Sequence, residues 1–228
     1  MGDFQRFGLS HGIVLLLLLW GSAWILRTRR ASLAQIQRYS IGGGLILQIL
    51  IFHSYYLIRG EYDLARYLPF HLCALSAVMM AMALLIDRPW LRQITIYWAP
   101  FAALIAILLP DIGASDNFPS FRFLEFFVSH ALICWGAVWL LANHRFKWTI
   151  KTALFAYGSL FATLPPIALV NRLFSANYLY MLRKPNGGQM DFLGPEPYHF
   201  GYLLLLVMLV FWVEMLVFRL VQQRFKPR

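Results

Sequence analysis

Charged residues are scarce in this 228-residue chain: they make up 13% of it, and only 10 of them are Asp or Glu. Soluble globular domains carry about 25% charged residues, so the composition excludes an ordinary soluble fold. Cysteine is scarce as well, because the 2 cysteines have neither the spacing of a zinc ribbon nor the number of a disulfide framework. No internal repeat is visible, so the inverted-repeat architecture of many transporters has no support here.

Hydrophobic residues are abundant instead, at 60% of the chain, and the mean hydropathy is +0.62. They fall into seven apolar runs, each close to the roughly 20 residues that a helix needs to cross a bilayer. The sequence therefore predicts an all-α, polytopic membrane protein with one integral membrane domain over residues 1–228. The predicted membrane-spanning helices are residues 11–26, 39–58, 67–86, 93–110, 121–143, 148–173 and 199–221.

The net charge of +10 comes from basic residues in short runs between the apolar segments. That arrangement indicates topology signals and contacts with anionic lipid headgroups, and no nucleic-acid partner is expected. Most Lys and Arg residues lie in residues 27–38, 88–92, 145–151 and 219–228. The positive-inside rule places these segments in the cytoplasm. With seven spans, the N-terminus is then outside and the C-terminus inside, in a multi-pass protein of the cell membrane.

The stretch LPFHLCAL, residues 68–75, puts three unusual residues into the third apolar run. Pro69 suits the first turn of a helix, where its missing N–H is no loss. His71 and Cys73 are then expected one to two turns inside that helix. A polar group in hydrocarbon costs roughly several kcal/mol unless it is satisfied, so both residues are candidates for a functional site.

Further polar residues fall at the same predicted outer end of the bundle. The loop at residues 174–198 keeps aromatic and apolar side chains, which is typical of a packed lid rather than a solvated linker. A polar cluster roofed by such a loop predicts a site. The supporting members of the cluster are His53, His71, Asp111 and Glu125.

Cys73 and His130 are the pair that could carry chemistry. A thiolate is a nucleophile, and an adjacent imidazole generates it by accepting the thiol proton. His71 is about 200° around the helix from Cys73 and is poorly placed as the base. The alternatives are that Cys73 is a small packing residue, or that His130 and Cys134, one helical turn apart, are half of a metal site. No further spaced Cys or His completes such a site, so no metal is predicted.

Six short segments carry a family resemblance. The chain resembles the bacterial YwaF-type integral membrane proteins from about Leu68 to Phe200. That family is related to a eukaryotic transmembrane acyltransferase family that acts on phospholipids, ether lipids included. Ala74 stands where an acidic residue is common, and LGPEPYH stands where LGPWPWY is usual. The segments are LPFHLCALSAV, LLPDIG, FPSF, FFVSHALI, NYLYMLRKP and FLGPEPYHF.

The resemblance implies a Cys/His acyl-transfer mechanism, with the nucleophile at Cys73 and the catalytic histidine at His130. The resemblance does not identify the group that orients His130: Glu125 and Asp111 are equal candidates from the sequence, and Glu125 could instead simply lie at the membrane interface. The expected donor is a membrane phospholipid and the acceptor a lysolipid or another hydroxyl compound, so no cofactor is needed. The alternatives are a lipid-ester hydrolase that uses the same site and a non-enzymatic small-molecule transporter or binding protein. The residues predicted to contact the substrate are Arg172, Asn177, Tyr178, Tyr180, Arg183 and Lys184.

Overall fold

The computed structural model describes residues 3–185 and 190–224, and within these ranges the secondary structure is helical, without β-strands. Six helical segments are long and apolar enough to cross a membrane, with α4 and α5 counted as one segment that is interrupted at Ala99 and Pro100. All seven predicted runs contain helix. The helices are α1 Leu9–Arg27, α2 Ala31–Ile58, α3 Leu72–Leu85, α4 Pro89–Trp98, α5 Pro100–Leu108, α6 Phe121–Asn143, α7 Ile150–Phe174 and α8 His199–Arg224.

Two helices depart clearly from their predicted lengths: α2 is longer, at 28 residues, and α3 is shorter. Helix α3 has 14 residues, or about 21 Å of helix, against a hydrocarbon core of about 30 Å. The prediction that Pro69 opens this helix is wrong, because the helix begins at Leu72 and His71 is its extended N-cap. Tyr178 explains the late start: its hydroxyl accepts from the Leu68 N–H at 2.9 Å and donates to the Leu64 carbonyl at 2.7 Å. These bonds hold the preceding segment outside the helix.

The seven-span count and the orientation remain predictions, and topology reporters can test them. A reporter fused after Arg228 should be cytoplasmic, and one inserted between Asp111 and Ser120 should be extracytoplasmic. The reason is that basic residues are concentrated on the side that carries the C-terminus, which the positive-inside rule places in the cytoplasm. A reporter inserted after Arg145 should match the C-terminal one and serves as the control. If the reporters at Arg228 and in the 111–120 loop are on the same side, the span count is wrong.

Small side chains let α3 pack closely at the centre of the bundle. Ala77, Ala81 and Ala83 are buried on α3, and Met80 and Leu84 are fully buried beside them. On the facing surface of α6, an added Cβ at Gly136 would lie only 2.7 Å from Met80, so this crossing requires a glycine. Close approach of this kind replaces the hydrophobic driving force that helices lack inside a membrane.

The C-terminal end of α3 is held by a charged network. The Nε of Arg38, a buried residue of α2, donates to the Leu84 carbonyl, and its Nη1 lies 3.2 Å from the Asp87 carboxylate. Arg92 pairs with the same carboxylate from α4. Nearby, burial lowers the pKa of His144, so its ring is neutral at pH 7 and adds no ion pair to the network. The end of α3 is therefore tied to α2 and α4.

Candidate active site

A cavity of about 610 Å³ lies where α2 and α5 end and α3 and α6 begin. Tyr180, Pro185 and Met190 line it from the α7–α8 connection. Residues 186–189 of the predicted lid lie outside the described residues. The predicted site residues that line this cavity are His53, His71, Cys73, Asp111, Glu125, His130 and Tyr180.

Cys73 is a free, half-buried thiol in the first turn of α3, shallower in the helix than the sequence predicts. The first backbone bond of this helix runs from the Leu75 N–H to the His71 carbonyl, at 2.9 Å. The N–H groups of Leu72, Cys73 and Ala74 precede it and have no intrahelical acceptor. The side chain at the N-cap, His71, does not cap the helix either. Cys73 therefore lies beside backbone donors that a substrate can use.

His130 is buried on α6, and its ring is fixed by the helix that carries it. Nδ1 lies 2.7 Å from the Phe126 carbonyl, and the His130 ring packs on the Phe126 ring with centroids 4.3 Å apart. A carbonyl can only accept, so Nδ1 carries the proton of the neutral ring. Nε2 is then left with a lone pair, as a general base requires.

The predicted orienting carboxylate is not what holds His130. Glu125 is held by other groups: Arg122 Nη1 donates to it at 2.6 Å and Gln48 Nε2 at 3.2 Å. Asp111 lies on the cavity wall, but the Phe126 carbonyl is the group that orients His130. A histidine whose ring donates to the carbonyl four residues earlier needs no carboxylate to orient it. The sequence alone does not show whether the ring binds that carbonyl or a carboxylate.

The thiol and the imidazole line the same cavity. In the described part of the chain, Cys73 makes no hydrogen bond to His130 or to another side chain, so the thiol is not engaged by the protein. Cys134 is buried one helical turn from His130. No group of three or more His, Cys, Asp or Glu side chains within residues 3–185 and 190–224 has the arrangement of a metal site.

Most of the predicted substrate contacts lie away from the cavity. Tyr178 is fully buried, and Asn177 binds the backbone of Leu182 and Arg183 through its side-chain amide. Lys184 forms an ion pair with Asp191 at 3.0 Å. Arg172 and Arg183 are exposed and do not line the cavity. These residues shape the loop, and Tyr180 is the member of the predicted set that reaches the cavity.

Two arginines that the sequence analysis did not single out line the cavity, Arg66 and Arg122. Arg122 forms its ion pair with Glu125 within the first turns of α6, and its guanidinium lies 5.5 Å from the centre of the Phe126 ring. A signal for Arg122 was available, because a charge pair three residues apart inside an apolar run is rare in membrane helices and is usually functional.

An aromatic cluster forms the cavity wall on the α2 side. Tyr56 and Tyr67 stack at 4.0 Å, and Phe52 packs edge-on against both. His53 Nδ1 lies 2.8 Å from the Tyr62 hydroxyl. This histidine is therefore part of the aromatic wall, and its hydrogen bond is to Tyr62 and not to His130. Amphipathic rings of this kind are typical of the interface between hydrocarbon and headgroups.

A second, larger space is an apolar groove of about 750 Å³ between α1 and α6. It contains neither cysteine nor histidine among its lining residues. Trp135 closes one end, where its Nε1 donates to the Leu18 carbonyl at 3.0 Å and its ring fills the space beside Gly21. The groove offers mostly hydrocarbon contacts, with Asp3, Gln5, Ser10 and Asn117 as its polar lining residues.

The fold and the cavity together define a multi-pass helical membrane protein with a thiol and an imidazole in one polar cavity. The chain belongs to the TMEM164 family, a transmembrane protein family whose sequence model matches residues 6–216. Searches among curated proteins and among solved structures give no significant match.

Proposed function

We propose that the protein is an acyltransferase of the cell membrane that transfers a fatty acyl group from a phospholipid to a lysolipid through a thioester on Cys73. One observation carries the proposal: a free thiol and a histidine with a pre-set tautomer line the same cavity. Membership in the TMEM164 family and the resemblance to YwaF-type proteins, which are related to phospholipid acyltransferases, support it by analogy.

In the first half-reaction His130 accepts the thiol proton on Nε2, and the Cys73 thiolate attacks the ester carbonyl of the donor lipid. The carbon–oxygen bond of the ester breaks after a tetrahedral intermediate. The leaving alkoxide takes the proton from His130 and departs as a lysolipid. The acyl group remains on Cys73 as a thioester, and His130 is again neutral.

In the second half-reaction the hydroxyl of an acceptor lysolipid gives its proton to His130 and attacks the thioester carbonyl. The carbon–sulfur bond breaks, the new ester leaves, and the thiolate recovers its proton from His130. The backbone N–H groups of Cys73 and Ala74, which have no intrahelical acceptor, support the negative charge on the carbonyl oxygen in both steps.

Arg122 and Arg66 are the cations that we assign to the lipid phosphate, in place of Arg172, Arg183 and Lys184. Both line the cavity that holds the thiol, whereas the other three do not. Glu125, which also accepts from Gln48, fixes the position of Arg122 and leaves most of its N–H groups for a second anion. A phosphate held there keeps the glycerol esters inside the cavity.

The test is to trap the thioester. Purified protein in liposomes is incubated with a phospholipid that carries an alkyne-tagged acyl chain, and the labelled peptide is identified. The label should map to Cys73, should be released by neutral hydroxylamine, and should pass to an added lysolipid. Cys134→Ala is the matched control and should label normally, because only one of the two thiols carries the acyl group.

Two outcomes would count against the proposal. Label that maps to a residue other than Cys73 would remove the nucleophile. Release of free fatty acid with no transfer to any lysolipid would show that water is the acceptor, and the protein would then be a hydrolase that uses the same site.

A further inference from the structure

The backbone that leads to Tyr180 is strained. Leu179 and Tyr180 both have left-handed backbone angles, with φ of 58° and 52°. Such a conformation costs about 1–3 kcal/mol for each non-glycine residue and persists only where the surroundings enforce it. Two in succession on a cavity wall require a physical reason.

Three buried side chains enforce this conformation. Asn171 binds both sides of Tyr178: its Nδ2 donates to the Tyr178 carbonyl at 3.1 Å, and its Oδ1 accepts from the Tyr178 N–H at 2.7 Å. Tyr178 is anchored to the segment before α3 through its hydroxyl. His199, fully buried at the start of α8, has Nε2 2.8 Å from the Tyr180 carbonyl, to which it donates. The chain is therefore fixed immediately before and at Tyr180.

The result is that the Tyr180 ring is directed into the cavity. Its centroid lies 5.2 Å from that of His71, two residues before the nucleophile. Asp111, Cys73 and Arg122 line the same cavity. Burial raises the pKa of Tyr180, so the hydroxyl keeps its proton at neutral pH and can donate it.

Tyr178 and Tyr180 differ in what their hydroxyls do. The Tyr178 hydroxyl makes two hydrogen bonds to backbone groups. The Tyr180 hydroxyl makes none with any residue in the described ranges, and its side chain lines the cavity. A tyrosine that served only for packing would require neither the strained backbone nor a hydroxyl left open to the cavity. The open donor indicates a role toward the substrate.

We propose that Tyr180 is a further catalytic residue, whose hydroxyl donates a hydrogen bond to the carbonyl oxygen of the reacting ester and thioester. This inference rests on the proposed acyl transfer. It adds a side-chain donor to the backbone N–H groups at the start of α3, next to which the Tyr180 ring packs. The bond is strongest when the oxygen carries negative charge, so it lowers the barrier in both half-reactions.

The test compares Tyr180→Phe with Tyr178→Phe in the full-length protein in liposomes. Tyr180→Phe removes a hydroxyl that makes no hydrogen bond with the residues that the structure describes, and it keeps the ring, so it should fold as the parent does. Its kcat and the single-turnover rate of Cys73 acylation should both fall about 100-fold, with KM little changed. Tyr178→Phe should lower the unfolding temperature, since it removes two hydrogen bonds to the backbone, and should lower kcat less than Tyr180→Phe does, because Asn171 and His199 still hold the chain beside Tyr180.

The outcomes separate this inference from the proposed function. If Tyr180→Phe acylates Cys73 at the parent rate, or changes only KM, Tyr180 is not a catalytic residue while the thioester mechanism stands. If the parent protein forms no acyl group on Cys73, the proposed function fails and this inference fails with it.

Discussion

Cys73→Ala is expected to abolish acyl transfer while the protein inserts and purifies normally. In the proposed mechanism the sulfur of Cys73 forms the covalent intermediate. In the described part of the chain the thiol makes no hydrogen bond that the fold would lose. Removing the nucleophile of a covalent mechanism lowers kcat by at least about 10³-fold. The measurement is the rate of lysolipid acylation in liposomes, with the unfolding temperature recorded in parallel.

Cys134→Ala is the matched control for this experiment. It removes a thiol of the same chemistry from a wall of α6. It should retain most of the activity and lose a small amount of stability because it shortens a buried side chain. Wild-type activity in Cys73→Ala would contradict the thioester mechanism, and loss of activity in Cys134→Ala with Cys73→Ala active would move the nucleophile to α6.

His130→Ala is expected to lower transfer by about 10²- to 10⁴-fold, the range for losing a general base. Both half-reactions should slow, because the same nitrogen accepts the proton from Cys73 and then from the acceptor hydroxyl. The Phe126 carbonyl remains within the helix ladder after the change, so the fold should persist. Single-turnover acylation and the subsequent discharge to lysolipid measure the two steps separately.

His53→Phe is the control for the histidine. His53 lines the same cavity but bonds the Tyr62 hydroxyl in the aromatic wall, so its replacement should cost less than about tenfold in rate. If His130→Ala acylates Cys73 within tenfold of the parent rate, another group deprotonates the thiol and the dyad is wrong.

The helices could be predicted from the sequence because their signal is long and local. Runs of apolar residues near the thickness of a membrane gave the helical segments, and α6 has the bounds that the sequence predicts. The start of α3 could not be predicted, because it depends on Tyr178, more than 100 residues away. The preference of Pro69 for the first turn of a helix is outweighed by the hydrogen bonds of the Tyr178 hydroxyl to the Leu68 N–H and the Leu64 carbonyl.

The site was partly predictable for a similar reason. Polar residues at one end of several helices are expected to meet in space. This expectation predicted that Cys73, His130 and their neighbours share one site. The sequence did not single out Arg66 and Arg122, which line the cavity, because a basic residue in a loop and one at a helix start look alike in sequence. Tyr178 and Tyr180 also look alike, yet one is anchored in the core and the other is directed into the cavity.

Helix α3 is fastened at both ends, by Arg38 at the Leu84 carbonyl and by Tyr178 at the segment before His71. It can therefore neither slide along its axis nor tilt readily. The Cys73 thiol that it carries is therefore held at one depth by the fold. Under the proposed mechanism, the protein would act on the ester bonds that reach that depth, whatever the length of the acyl chain beyond them.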